Sequence, residues 1–163
     1  MKQGIHKNLA DFGKKLVSTK TVASGLPLIS DYACRILNAQ RCSVFIYDKK
    51  NRKLWTVLAD GIEQIVINSD HGIVGKSFHS RKILIENNLS DNPYFMEEVD
   101  EASGFKTKNL IVAPIFDSSS IALGAIELLN KEGGFIEEDK DNIQLFSIFI
   151  SGFLDEMKEK QQS

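Results

Sequence analysis

Two apolar runs late in the chain constrain its fold more than any other feature. Leu110-Ile111-Val112-Ala113-Pro114-Ile115-Phe116 is followed, after a short Ser turn, by Ile121 to Leu129. The pair reads as a hairpin of buried strands, and such continuous apolarity requires both faces to be largely covered. Glu127 interrupts the second run. A carboxylate in a buried strand is costly unless it is paired or hydrogen-bonded. It is therefore a better candidate for function than any surface acid, although a structural salt bridge explains it too. Asp100 to Thr107 reads as a polar helix end before the pair, and Asn130, Lys131, Phe135 and Asp139 as a charged corner after it. Adjacent strands with polar residues just before and inside them make the back wall and rim of a pocket.

Periodicity supplies the other elements. Ile5, Leu9, Phe12 and Leu16 form one stripe of a helix over residues 2–20. That helix either docks on its own domain or pairs with a second subunit. Thr19 to Gly25 breaks the pattern, and a second helix is expected from about Leu26 to Ala39. It buries Leu26, Ile29, Ala33, Ile36 and Leu37, with Pro27 in its first turn, where a missing N–H costs little. Cys42–Tyr47 and Leu54–Ala59 read as a hairpin about a polar turn. Ser43 lies mid-strand between apolar neighbours, the common place of a small hydrogen-bonded core residue, and Asp60-Gly61 is a turn signal. Ile65–Ile67 is a third strand.

Asp70 to Gly75 then enters a helix through about Ser80, and free N–H groups at such a start suit a phosphate or carboxylate. Ile83–Ile85 reads as a short strand, Asn87 to Pro93 as loop, and Tyr94–Ala102 as a short acidic helix closed by Ser103-Gly104. Its charge run is by default a solvated face. Asp100, Ser103 and Thr107 nevertheless offer acceptors and hydroxyls of the kind that reads a base edge or sugar. The final helix, Glu137 to about Lys160, carries Ile143, Phe146, Phe149, Ile150, Phe153 and Met157 on one stripe, for burial on the sheet or on a partner helix. This order implies a mostly antiparallel sheet with helices packed on it, an α+β fold.

The 163 residues suffice for one domain with a sizeable core. A net charge of -2 gives no basic footprint, so nucleic acid is not an expected partner. No apolar run approaches a membrane span and no leader with an apolar h-region is present, so no membrane partner is expected and the protein is expected to be cytoplasmic and reduced. Cys34 and Cys42 lack metal-type spacing, and His71 and His79 have no Cys or His partner at ligand spacing. No metal site is expected.

Several strings, weak alone, become specific in their order and spacing: Arg41-Cys42-Ser43-Val44-Phe45, Asp70 to Gly75, Pro93 to Phe95, Ser103-Gly104-Phe105-Lys106-Thr107, Gly124 to Lys131, and Phe135 with Asp139. From about Leu26 to Leu154 the chain resembles a GAF domain of the regulatory type found in cyclic-nucleotide phosphodiesterases and cyclases. The resemblance implies the GAF (profilin-like) fold: a central antiparallel sheet, terminal helices on one face, and a ligand pocket on the other, roofed by two short helices. It divides the chain into an N-terminal helix, 1–25, serving as dimer or connector element, the GAF domain, 26–154, and a helical extension, 155–163.

In nucleotide-binding members the matching positions contact the ligand. Here these are Ser43, Asp60, Ile73, Val74, Asp100, Ser103, Thr107 and Glu127. Ser103 replaces a Thr and keeps its hydroxyl. Ala59 stands where a Phe can stack on the base, a loss on the order of 1–3 kcal/mol. Asn87 to Ser90 departs from the usual Ile-Pro-Asp string. The resemblance also implies an internal, structural ion pair between Lys131 and Asp139.

Three functions follow. The first is a regulatory module without catalytic residues or covalent cofactor, binding cyclic AMP or cyclic GMP and signalling as a homodimer through its terminal helices. The second is a dimerisation scaffold with another ligand or none. The third is a small enzyme like the GAF-type methionine sulfoxide reductases, which requires a redox cysteine in the pocket.

Overall fold

In a computed structural model of the protein, residues 22–59, 65–89 and 106–162 are described, with side-chain surroundings at 25–56, 65–89 and 106–155. The helices expected over 2–20 and 94–102 lie outside the described residues.

Strand β1 (Ala39–Asp48) turns back into β2 (Lys53–Ala59), and β3 (Val66–Asn68) pairs on the far side of β2. The β1–β2 turn is closed by Asp48, whose carboxylate accepts the Asn51 side-chain amide at 2.7 Å and the Lys50 N–H at 3.1 Å. These bonds, the Asn51 side chain foremost, hold the Asp48 carboxyl below its ordinary value. Strands β4 (Leu84–Glu86), β5 (Leu110–Phe116) and β6 (Ala122–Lys131) complete a six-stranded sheet of order β3-β2-β1-β6-β5-β4, antiparallel at every pairing. β5 is the apolar run expected. β6 runs on to Lys131, so Asn130 and Lys131 belong to its end rather than to a corner beyond it.

The sheet separates two cores because successive strand residues face opposite ways. On one face Cys42, Val44, Ile111, Ala113, Ile115, Ile126 and Leu128 meet two helices, α1 (Val22–Leu37) and α3 (Glu137–Gln162). α1 contributes Leu26, Ile29, Ala33 and Leu37; α3 contributes Ile143, Phe146, Ile150 and Leu154. On the other face Phe45, Leu110, Val112 and Ala125 meet Ile73, Val74 and Phe78 of the short helix α2 (Gly72–Ser80).

α1 departs from its expected start. It begins at Val22, so Pro27 sits beyond the first turn and Gly25 is helical rather than a breaker. The reason is packing against α3. A Cβ built on Gly25 would run into the ring of Phe153. Glycine is thus kept for close approach of two helices, at the expense of local propensity.

Candidate ligand-binding site

The register of the central strands sets the site. Ser43 of β1 pairs with Ala59 of β2 on one side and Glu127 of β6 on the other. Glu127 pairs in turn with Val112 of β5, and Val112 with Leu84 of β4. Ala59, Ser43, Glu127, Val112 and Leu84 therefore form one row across the sheet. Strand alternation puts Ser43 on the side of Phe45, and Glu127 on the side of Ala125, which is the α2-covered face. Ser43 is buried and Glu127 half-buried. A hydroxyl and a carboxylate thus stand on adjacent strands between apolar neighbours, a floor with a few polar groups.

α2 lies over the same face. Gly72, with φ 72°, starts it, and Gly75 allows its first turn to close on the preceding chain, because a Cβ there would come within 2.7 Å of the Ser69 carbonyl oxygen. The Gly75 N–H makes the first bond of the helical pattern, to the His71 carbonyl at 3.2 Å. The N–H groups of Ile73 and Val74 precede it and have no i−4 partner within the helix. The Ile73 and Val74 side chains belong to the core beneath. Tyr47 joins this layer through its ring, 4.6 Å from that of Phe78.

Thr107 is buried, in the stretch leading to β5. That stretch is pinned by Asn130, at φ 63°. Asn130 Oδ1 accepts the Lys108 N–H at 2.7 Å, and Nδ2 donates to the Lys106 carbonyl at 2.8 Å. Asn109 returns the bracing: its Oδ1 accepts the Lys131 N–H at 2.8 Å, and its Nδ2 donates to the Lys131 carbonyl at 3.0 Å. Asn87 holds Phe135 likewise, accepting its N–H and donating to its carbonyl, each at 2.9 Å. Lys131 Nζ lies 2.8 Å from Asp139.

The structure therefore brings Ser43, Glu127 and the backbone of Ala59 into one row, with Ile73 and Val74 over the same face. Asp60, Asp100 and Ser103 lie outside the described residues. The asparagine clamps were not read from the sequence as such. Asn130 alone carried a cue, since asparagine is among the few residues that accept a positive φ.

The family model for the GAF domain matches residues 25–153. The chain is 29% identical over 150 residues to the human rod cGMP-specific 3',5'-cyclic phosphodiesterase subunit alpha, covering 82% of this chain and 17% of that protein. It is 24% identical over 136 residues to the probable 3',5'-cyclic phosphodiesterase pde-5 of Caenorhabditis elegans, covering 74% of this chain and 18% of that one. The chain thus spans less than a fifth of the length of these curated relatives. Among solved structures, the GAF domain of a phosphoenolpyruvate-protein phosphotransferase from Coxiella burnetii superposes with a TM-score of 0.86 at 16% identity, covering 98% of this chain and 97% of that one. A free methionine-R-sulfoxide reductase from Neisseria meningitidis superposes with a TM-score of 0.80 at 12% identity, covering 96% and 91%. These structural likenesses speak for the fold.

Proposed function

The chain belongs to the GAF domain family, and on that premise we propose that it is a sensory, regulatory domain whose α2-covered face takes a cyclic nucleotide, cyclic AMP or cyclic GMP. The observation that carries this reading is the pairing of Ser43 with Glu127 on the face beneath α2. Glu127 suits the N–H donors of a base edge, Ser43 a hydroxyl or ring nitrogen, and the first-turn N–H groups of α2 the cyclic phosphate. Thr107 adds a hydroxyl from the segment that Asn130 pins. Ala59 in the same row removes the aromatic platform, so the affinity expected is modest. Ligand binding would bias the packing of the terminal helices in a homodimer, by population shift.

A scaffold reading has one observation in its favour. α3 exposes Leu145 at 38% and Ile148 at 61% on the face opposite the candidate site. The reductase reading has none. Cys42 is fully buried in the helix-covered core and Cys34 packs against that same core, away from α2.

Calorimetry with cyclic AMP and cyclic GMP tests the proposal. A saturable heat is expected with one of them, weakened about 10–100-fold in Glu127→Gln, as for loss of a charge-assisted hydrogen bond. No heat and no thermal shift at millimolar nucleotide would leave the scaffold reading in its place.

A further inference from the structure

We propose that Arg81 is a clasp that couples α2, the helix above the candidate site, to α3 on the opposite face, around the end of β5. Arg81 caps α2 in a left-handed conformation, φ 62°, with its N–H bonded to the Ser77 carbonyl at 3.0 Å. The buried Ser77 hydroxyl donates to the Lys82 carbonyl at 2.7 Å, so helix end and exit move as one piece. From there the guanidinium reaches the β5–β6 turn. It lies 4.3 Å from the ring centroid of Phe116, and Nη2 donates to the Ser120 carbonyl at 2.8 Å.

The turn it grips is stiff. Asp117 Oδ1 accepts the N–H groups of Ser119 and Ile121 at 2.8 and 2.9 Å, and Asp117 and Ile121 bond through their backbones at 2.9 Å. Ser120, at φ 63°, is held in a conformation that presents its carbonyl to Arg81. The Phe116 carbonyl accepts the hydroxyl of Ser151, on α3. Arg81, Phe116 and Ser151 thus link α2 to α3.

A cleft makes this link narrow. A space of about 820 Å³ separates the Ser147–Asp155 flank of α3 from the 81–83 segment. Across this space the Ser147–Asp155 flank of α3 meets the end of β5 through the Ser151–Phe116 bond, while Ile150 and Leu154 hold the other side of the same turns in the core. A displacement of α2 that pulls the guanidinium off the Phe116 ring releases the hold on the turn and, through the Phe116 carbonyl, on α3. Signalling by this route rests on the ligand reading above; the clasp itself does not.

Hydrogen exchange on the intact protein separates the two. Without ligand, Arg81→Ala is expected to quicken amide exchange across residues 147–155 roughly threefold or more, in addition to any change at 117–121. Phe116→Leu, which keeps apolar volume, is expected to do the same. In a Ser151→Ala background, Arg81→Ala should add nothing further at 147–155. Unchanged exchange across 147–155 in both single variants, or a full additional effect without the Ser151 hydroxyl, overturns the clasp. If a cyclic nucleotide binds, Arg81→Ala should keep affinity within about threefold while losing any ligand-induced protection at 147–155. Retained protection overturns the signalling role, and failure of every nucleotide to bind removes the ligand reading while the first comparison still decides the clasp.

Discussion

Lys131 and Asp139 show how burial changes what an ion pair is worth. Asp139 is 3% exposed, accepts Lys131 Nζ at 2.8 and 2.9 Å, and also accepts the Ile136 N–H at 2.8 Å. It sits in the first turn of α3, where an acid reaching back to the N-cap amide fixes the helix start. Removing the lysine strands a buried carboxylate that retains one backbone donor. Lys131→Met is expected to cost about 3 kcal/mol, the low end for breaking a buried pair, because the lysine is itself 19% exposed. Arg35 and Asp31 are the contrast: 3.3 Å apart on α1 but 71% and 54% exposed. Arg35→Ala should stay within about 0.5 kcal/mol of the parent, with both variants compared by urea titration. Equal costs at the two sites would contradict this account of Asp139.

Among the elements, strands were legible where burial imposes a pattern, and helices where one face alone is apolar. β5 reads correctly because every residue from Leu110 to Ile115 is buried. Glu127 stood out because it breaks such a run. Its pairing with Ser43 did not, since β1 and β6 lie far apart in the chain and register is fixed only when the sheet assembles. The asparagine clamps at Asn87 and Asn130 stayed hidden for the same reason: their backbone partners are remote in sequence. Local propensity puts the start of α1 too late, because glycine is locally a helix breaker. Its real constraint is the Phe153 ring on α3.

Gly25→Ala gains about 1 kcal/mol of helix propensity in isolation. The added methyl collides with Phe153, and overpacking of this kind costs about 1–3 kcal/mol. The net effect expected is a lower melting temperature. In a Phe153→Leu background the collision goes, and the same substitution should raise it. A stabilising Gly25→Ala in the parent would mean that Phe153 swings aside freely.

On the scale of the whole molecule, the sheet is a partition. The row containing Ser43 and Glu127 faces α2, while α1 and α3 cover the other side. A ligand on one face can act on a partner through an element on the other, and α3 is the described helix with large apolar side chains exposed. Leu145 and Ile148 are exposed one turn apart, and a Cβ at Gly152 would meet nothing within 4 Å. Residues at this spacing lie on one strip of the helix, and its open glycine permits close approach of a second helix. If two copies join along this strip, Ile148→Glu places a charge in each half of an apolar contact and leaves the α2 face untouched. The expected outcome is a fall in solution mass from dimer to monomer by light scattering, with melting changed little and nucleotide heat retained. A mass unchanged by Ile148→Glu and by Leu145→Glu together would move the dimer contact off this strip. A mass that falls together with the nucleotide heat would show instead that assembly and binding are one event, with the ligand face complete only in the pair.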